Sequence, residues 1–320
     1  MKLGSWLALW VLSGVVTAVQ AAPDDFSEAK RVAQRIYSDE GETFYCGCPL
    51  RWQGGKGIAD LKSCGYQVRK NGPRANRIEW EHVVPAHQFG KALTCWQQGG
   101  REQCGNKDPL FRRMEADLFN LKPAIGEVNG DRANFAFALL PDVQPQHGAC
   151  PIRIDFQRKL AEPRAEIRGD IARIYFYMAD KYGFELSLAQ QQLMLSWHQA
   201  DPVDDREQQL QQRIAQQMGQ PNYFVTGSRE WFIGYQPTRY GLASQTAAQQ
   251  QARSRVKSVE NSATAAGKPA TGQVLGNQNS KLYHLSHCPG FTQVSEKNRR
   301  WFSSEPQAQQ AGFRKAKNCQ

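Results

Sequence analysis

Long apolar stretches are what this sequence has least of. Apart from one run, Trp6 to Val19, nothing approaches the ~20 apolar residues that a membrane-spanning helix needs. With 40% hydrophobic residues and a mean hydropathy of −0.62, a polytopic membrane protein is excluded. Acid is also short: 30 Asp+Glu stand against 40 Lys+Arg, leaving a net charge of +10 and a pI of about 9.2. That balance excludes an acidic, self-solvating chain and points to polyanionic partners, nucleic acid or a membrane surface. No repeat of roughly 20–50 residues is visible, which removes solenoids and propellers. The HExxH zinc-protease pattern is missing, because His82 and His87 are five positions apart and do not stack on one helix face. Cysteine is absent between Cys150 and Cys288, although the chain has 8 in all.

What is there suits an exported, folded protein of up to two domains, since 320 residues with 8 Trp and 10% aromatics can bury a core. Lys2, the apolar run and Val19-Gln20-Ala21 read as a signal peptide over residues 1–21, with a retained anchor as the alternative. Eight cysteines fit an oxidising compartment, periplasmic or extracellular. The pairing of the six in the first half is left open, except that Cys46 and Cys48 are too close to bond each other. Phe26, Ala29, Val32, Ala33 and Ile36 recur at helical spacing behind Asp25 and Ser27 as caps. Arg77 to His82 alternates as a strand, Ile167 to Met178 reads as an amphipathic helix, and Leu186 to Trp197 as another. Residues 22–240 are expected to be one domain, 241–271 an Ala/Gln/Ser/Thr-rich linker and 272–320 a compact tail. The tail's seven Lys+Arg against Glu296 and Glu305 supply about half of the net charge.

The densest polar cluster runs from Glu79 to His87. On a strand Glu79 and Glu81 share a face and His82 takes the other, so Glu81 and His82 serve one site only where the strand ends or bends, as Pro85 suggests. A histidine beside a carboxylate there suits a water-activating base next to a hard divalent cation. The rival role for His82 is a structural hydrogen bond. A second cluster spans Asp117 to Pro123 and Gly126 to Asn134.

In order, Tyr45 to Cys48, Cys64 to Lys70, Glu79 to Ala86, Asn120 to Pro123 and Glu127 to Arg132 resemble the endonuclease I family of exported bacterial nucleases, over roughly Phe26 to Phe224. The resemblance implies an α+β fold, a mainly helical nuclease domain around a ββα-metal finger. It implies His82 as general base, Glu81 and Asn129 as ligands of a divalent cation (Mg²⁺ foremost, Ca²⁺ or Mn²⁺ otherwise), and Arg101 on the phosphate. Asn120 is expected to tie the loop to the strand backbone. Glu79 and Glu115 are acidic neighbours that either tune His82 or position water, or simply face solvent. His87, His147 and His198 are expected on the surface or in packing. The sequence departs from the family by lacking a cysteine pair near Asp204 to Glu207 and Asn222 to Val225.

Leu275 to His284, Cys288, Asn298 to Phe302 and Ala311 to Cys319 are similar to the small zinc-binding domain of the Ada DNA-repair protein, implying a small α/β domain. Of that domain's four cysteine ligands, His284, Cys288 and Cys319 match three positions and Ala316 leaves the fourth empty. A Cys288–Cys319 disulfide is therefore expected, with Zn²⁺ on His284, Cys288, Cys319 and His287 as the rival. The expected function is hydrolysis of DNA and RNA phosphodiesters with low sequence preference. The rival is an exported nucleic-acid-binding protein without hydrolysis.

Overall fold

In the computed structural model, residues 22–39, 41–242, 274–285, 288–291, 293–302 and 304–319 are described. The expected signal peptide and nearly all of the expected linker lie outside them, as does His287. The chain divides into two compact units, Met1–Ala247 and Ala248–Gln320. Helix and sheet are mixed in both, an α+β fold.

The first unit opens with α1 (Phe26–Ile36), capped by the Asp25 carboxylate on the Glu28 amide at 2.8 Å and burying Ala29, Val32, Ala33 and Ile36, the periodic residues. A hairpin of β1 (Leu50–Gln53) and β2 (Lys56–Ala59) follows, then α2 (Gly72–Ala75) and β3 (Ile78–His82). Strand β3 ends at His82, where Pro85 starts a new segment, and is followed by α3 (Ala86–Gly90), α4 (Thr94–Lys107) and α5 (Pro109–Glu115). Strand β4 (Leu121–Ile125) returns antiparallel to β3, pairing His82 with Leu121 and Ile78 with Ile125, and runs directly into α6 (Gly126–Arg132). The sheet β5 (Ala136–Phe137), β6 (Arg153–Asp155), β7 (Leu160–Glu162) and three long helices complete the unit: α7 (Arg168–Tyr182), α8 (Leu188–Ala200) and α9 (Asp205–Met218).

Helix α7 is buried on nearly every side, so its amphipathic pattern understates it. Its polar residues are matched internally: Tyr177, Lys181 and Tyr182 all donate to the fully buried Asp117 carboxylate, at 3.0, 2.7 and 2.8 Å. This anchors the segment just before β4. Three disulfides, Cys46–Cys150, Cys48–Cys64 and Cys95–Cys104, settle the pairing that spacing left open.

The tail unit is a four-stranded sheet in the order β10, β8, β9, β11, with β8 (Val274–Asn277), β9 (Leu282–Leu285), β10 (Arg299–Phe302), β11 (Arg314–Lys315) and α10 (Glu305–Gln310). Only β9 and β11 are parallel, so the expected α/β tail is corrected to a mixed, mainly antiparallel sheet with one short helix. Val274, Tyr283, Phe302, Ala308 and Phe313 form its core.

Candidate nuclease site

Strand β3 and helix α6 line a cleft of about 620 Å³ together with the start of α1 and the middle of α4. It gathers Glu79, Glu81, His82, Arg101 and Asn129, five of the seven residues that sequence singled out in this unit. Glu81 and His82 share the cleft because the strand terminates between them and the following loop.

His82 is almost fully buried, its ring 4.7 Å from that of Phe26. Its Nε2 lies 2.8 Å from the Glu115 carbonyl oxygen, which can only accept, so Nε2 carries the proton and Nδ1 is left as the ring's acceptor. No hydrogen bond among the described residues uses Nδ1. Burial pushes the imidazole down to about 3, reinforced by the charges of Arg101 and Arg132 and opposed by the Glu115 carbonyl. A stability signature follows. Above pH 6.5 the ring is neutral whether folded or not; below it the unfolded chain takes up a proton that the folded ring refuses until about pH 3. His82 should therefore cost the fold progressively more as pH falls through that window. Urea melts at neutral and acid pH should show a steeper acid loss for wild type than for a His82→Gln variant.

Glu81 is also buried, and its two hydrogen bonds, from Tyr45 Oη at 2.6 Å and Arg132 Nη1 at 2.9 Å, both fall on Oε1. Burial raises its carboxyl, with Arg132 and Tyr45 offsetting only part of the cost. The sequence alone assigns no role to Arg132, which ends the Glu127 to Arg132 motif. Fully buried, it also donates to the carbonyls of His82 and Val83 at 3.1 and 2.7 Å and stacks 4.5 Å over Phe137. It fixes both the carboxylate and the strand end beside the histidine. Its pattern, a cation inside a helix that follows a buried strand, was the available signal.

Asn129 Nδ2 donates to Glu79 Oε2 at 2.9 Å. A carboxylate accepts only, so the amide must turn its Oδ1 away from Glu79. Glu79 is in turn held by Arg74 and Arg77. Burial works against its ionised form, but those bonds and the Asn129 amide outweigh it and pull the carboxyl below the usual range. Glu79 thus orients the amide and does not touch His82. Glu115 touches His82 through its backbone carbonyl, while its carboxylate takes Arg101 Nε at 2.6 Å.

Arg101 follows Gly99 and Gly100, where α4 breaks; Gly100 sits at φ +66°, open to glycine and costly for other residues. Cys95–Cys104 staples the two arms of that break. The guanidinium is half exposed. Asn120 lies behind the cleft: its amide exchanges hydrogen bonds with the backbone of Val84, at 2.7 and 2.9 Å, and its carbonyl accepts from the Val83 amide at 3.1 Å. His147, fully buried, meets Asp131 at 2.9 Å, and His198 packs against Arg173, whereas His87 is exposed.

Residues 24–229 match the Endonuclease I family model. The chain belongs to the endonuclease I family. Over 203 residues it is 47% identical to an Endonuclease-1 of Buchnera aphidicola subsp. Baizongia pistaciae, covering 63% of this chain and 82% of that one. Over 201 residues it is 48% identical to an extracellular deoxyribonuclease of Aeromonas hydrophila, covering 62% and 88%. A periplasmic deoxyribonuclease of the same organism is 43% identical over 221 residues, covering 68% and 93%. This endonuclease I relative is a secreted or periplasmic nuclease, a phosphodiester hydrolase. Among the described residues no helix is long and apolar enough to cross a membrane.

Residues 255–315 match the ArfC family model, so the Ada-like reading of the tail is corrected. Cys288 and Cys319 are joined in a disulfide, and the Leu285 amide donates to both sulfurs. The bond occupies the two sulfurs that the rival Zn²⁺ site would use as thiolates.

No group of three or more His, Cys, Asp or Glu among the described residues is arranged to hold a metal ion. The donors available in the cleft are oxygens, the Oε2 of a desolvated Glu81 and the outward Oδ1 of Asn129. Their chemistry fits a hard divalent cation that keeps most of its water.

Proposed function

We propose that the cleft hydrolyses the phosphodiester backbone of DNA, and of RNA, with low sequence preference. The β3–β4–α6 arrangement is read as a ββα-metal finger, with His82 the general base, Glu81 and Asn129 holding Mg²⁺ (Ca²⁺ or Mn²⁺ in its place), and Arg101 on the phosphate. The observation that carries this reading is the imidazole itself: neutral at working pH, pinned through Nε2 and lining a cleft that also holds oxygen donors and a half-exposed guanidinium.

Nδ1 takes a proton from water as that water attacks phosphorus in line. The opposite P–O bond breaks, the departing oxygen takes a proton from solvent water, and the ring returns its own proton to solvent once product has left. When bound, the cation supplies positive charge to the phosphate oxygens and the leaving oxygen. Arg101 adds donors to a non-bridging oxygen, where negative charge grows in the transition state, and Glu115 sets the guanidinium's direction. Arg132 offsets part of the cost of ionising the buried Glu81, fixes its Oε1 and holds the strand end in place. Glu79 keeps Asn129 turned the right way, and Asn120 keeps the loop after His82 closed on β4. Phosphate contacts carry no base information, which accounts for low specificity and for acceptance of both sugars.

Plasmid nicking with Mg²⁺ and with EDTA tests hydrolysis directly, and a single-stranded RNA substrate tests the second polymer. Glu81→Ala and Asn129→Ala should each raise the Mg²⁺ concentration needed for half-maximal rate, while Arg101→Ala should slow turnover at an unchanged Mg²⁺ midpoint. Calorimetry showing metal binding intact in both ligand variants would overturn the coordination. Retention of DNA by wild type without cleavage in any of the three metals would favour the non-hydrolytic rival.

The tail is read as a polyanion-binding accessory. Its outer strand β10 exposes Arg299, Arg300 and Trp301, and its other edge exposes Arg314 and Lys315. Ending the chain after Tyr240 should leave oligonucleotide turnover nearly unchanged and weaken retention on long DNA, most at low salt. Gel-shift affinity across a salt series checks this; identical affinities at every salt would reduce the tail to an appendage.

A further inference from the structure

A second groove of about 980 Å³ opens beside the catalytic cleft. One wall is the outer face of α1, where Lys30 and Arg31 stand. The other is the β1–β2 hairpin with Lys56, and Arg77 stands where β3 begins. Its aromatic lining is Trp52 and Trp80, stacked at 5.7 Å and 14°. No carboxylate lines it. Among the described residues no ion pair engages Lys30, Arg31 or Lys56, while Arg77, more than half exposed, shares Glu79 with Arg74.

The aromatic floor is rigid. Trp52 Nε1 donates to the Tyr37 carbonyl at 2.8 Å, so the indole's one polar atom is satisfied. Opposite it, Gly57 lets the hairpin close on β3, since a Cβ there would come within 2.8 Å of Ile78 and 3.1 Å of Trp52. Lys30, Ile78 and Trp80 line both this groove and the catalytic cleft, so the two spaces adjoin. Four cations without a lining acid, over fixed indoles and next to a phosphodiesterase cleft, match a sugar-phosphate chain with bases that can stack.

We propose that this groove holds unpaired nucleotides flanking the scissile phosphate on one side of the substrate strand. Phosphates lie along Lys30, Arg31, Lys56 and Arg77, and a base rests against Trp52 and Trp80. A base must leave the helical stack to reach an indole, so the strand is single here even when the substrate arrives as a duplex. This rests on the nuclease reading above.

The test uses the full chain and a fluorescent single-stranded DNA of about twelve nucleotides, long enough for a groove of this kind. In EDTA, Arg31→Glu/Lys56→Glu should bind at least ~10-fold more weakly than wild type. Its plot of log affinity against log salt should be shallower by about 1.4, two contacts at about 0.7 each. Arg31→Lys/Lys56→Arg should bind like wild type, which separates lost charge from a disturbed surface. A blunt duplex of the same sequence should lose less than the single strand. With Mg²⁺, KM for the long strand should rise in the reversed variant, while cleavage of a dinucleotide, too short to reach the groove, serves as reference. Unchanged affinity, equal loss on duplex and single strand, or a dinucleotide penalty as large as that on the long strand would each overturn the groove. Charge-dependent binding in EDTA from a protein that cleaves nothing would instead sink the catalytic reading and leave the groove standing.

Discussion

A folded His82→Ala protein is expected to hydrolyse nucleic acid at least ~10²-fold more slowly than wild type, the lower end for loss of a general base, while binding DNA in EDTA as before. The expectation rests on how little freedom the ring has. Its Nε2 proton is committed to the Glu115 carbonyl, Phe26 packs against one side of it and Phe89 lies beyond, 6.4 Å away. Truncation therefore removes the base and opens a hole in the packing, and the two effects have to be separated. His82→Gln keeps most of the volume and removes the basicity, so the two variants should fall together in rate even if only the alanine variant loses stability. Thermal melts and near-ultraviolet circular dichroism report the fold, and plasmid nicking with Mg²⁺ reports the rate. Near-wild-type turnover by either folded variant would remove His82 from the chemistry and return it to the structural hydrogen bond that its Glu115 contact also allows.

Those elements whose cause is local were legible before folding. Helix α1 was readable because its cap and its apolar stripe lie within a dozen residues, and β3 because it alternates and then meets Pro85. The motif resemblance brought Glu81, His82, Arg101 and Asn129 forward, and the strand end explains why two neighbours of opposite face serve one cleft. What could not be read is long-range and polar. Arg132 lies 51 positions from Glu81, and nothing in composition says that this cation, of forty, will be fully buried against it. Glu115 drew attention through its carboxylate, yet the atom that reaches His82 is its carbonyl, which every residue has. The strands β1, β2, β5, β6 and β7 run to four residues or fewer, too short to declare a period. In the tail the missing fourth ligand favoured a disulfide over zinc, but spacing alone left zinc as a rival, because spacing does not report oxidation state.

Complete reduction is expected to abolish activity, and the route is traceable from sulfur to site. Helix α6 bears Asn129 and Arg132, and its own seven residues could not hold it in place. The segment around residues 66–71 does so. Tyr66 Oη and the amides of Arg69, Lys70 and Asn71 all donate to Glu127, at 2.8, 3.1, 2.7 and 2.5 Å, and Arg69 and His147 hold Asp131. That segment leaves Cys64, bonded to Cys48, and pairs with the turn that ends at Cys150, bonded to Cys46. Closing loops of roughly 15 and 100 residues is worth about 3 and about 4.7 kcal/mol in the chain-entropy account. Against a total stability of about 5–15 kcal/mol, losing both leaves little to keep α6 docked. Cys48→Ser/Cys64→Ser should accordingly lower the melting temperature and lose activity even at temperatures where helix signal persists, since the clamp on Glu127 goes first. Cys288→Ser/Cys319→Ser should leave oligonucleotide hydrolysis intact, because that bond belongs to the other unit. Full hydrolysis by a protein whose eight cysteines all titrate as free thiols would show that α6 is held without the bridges.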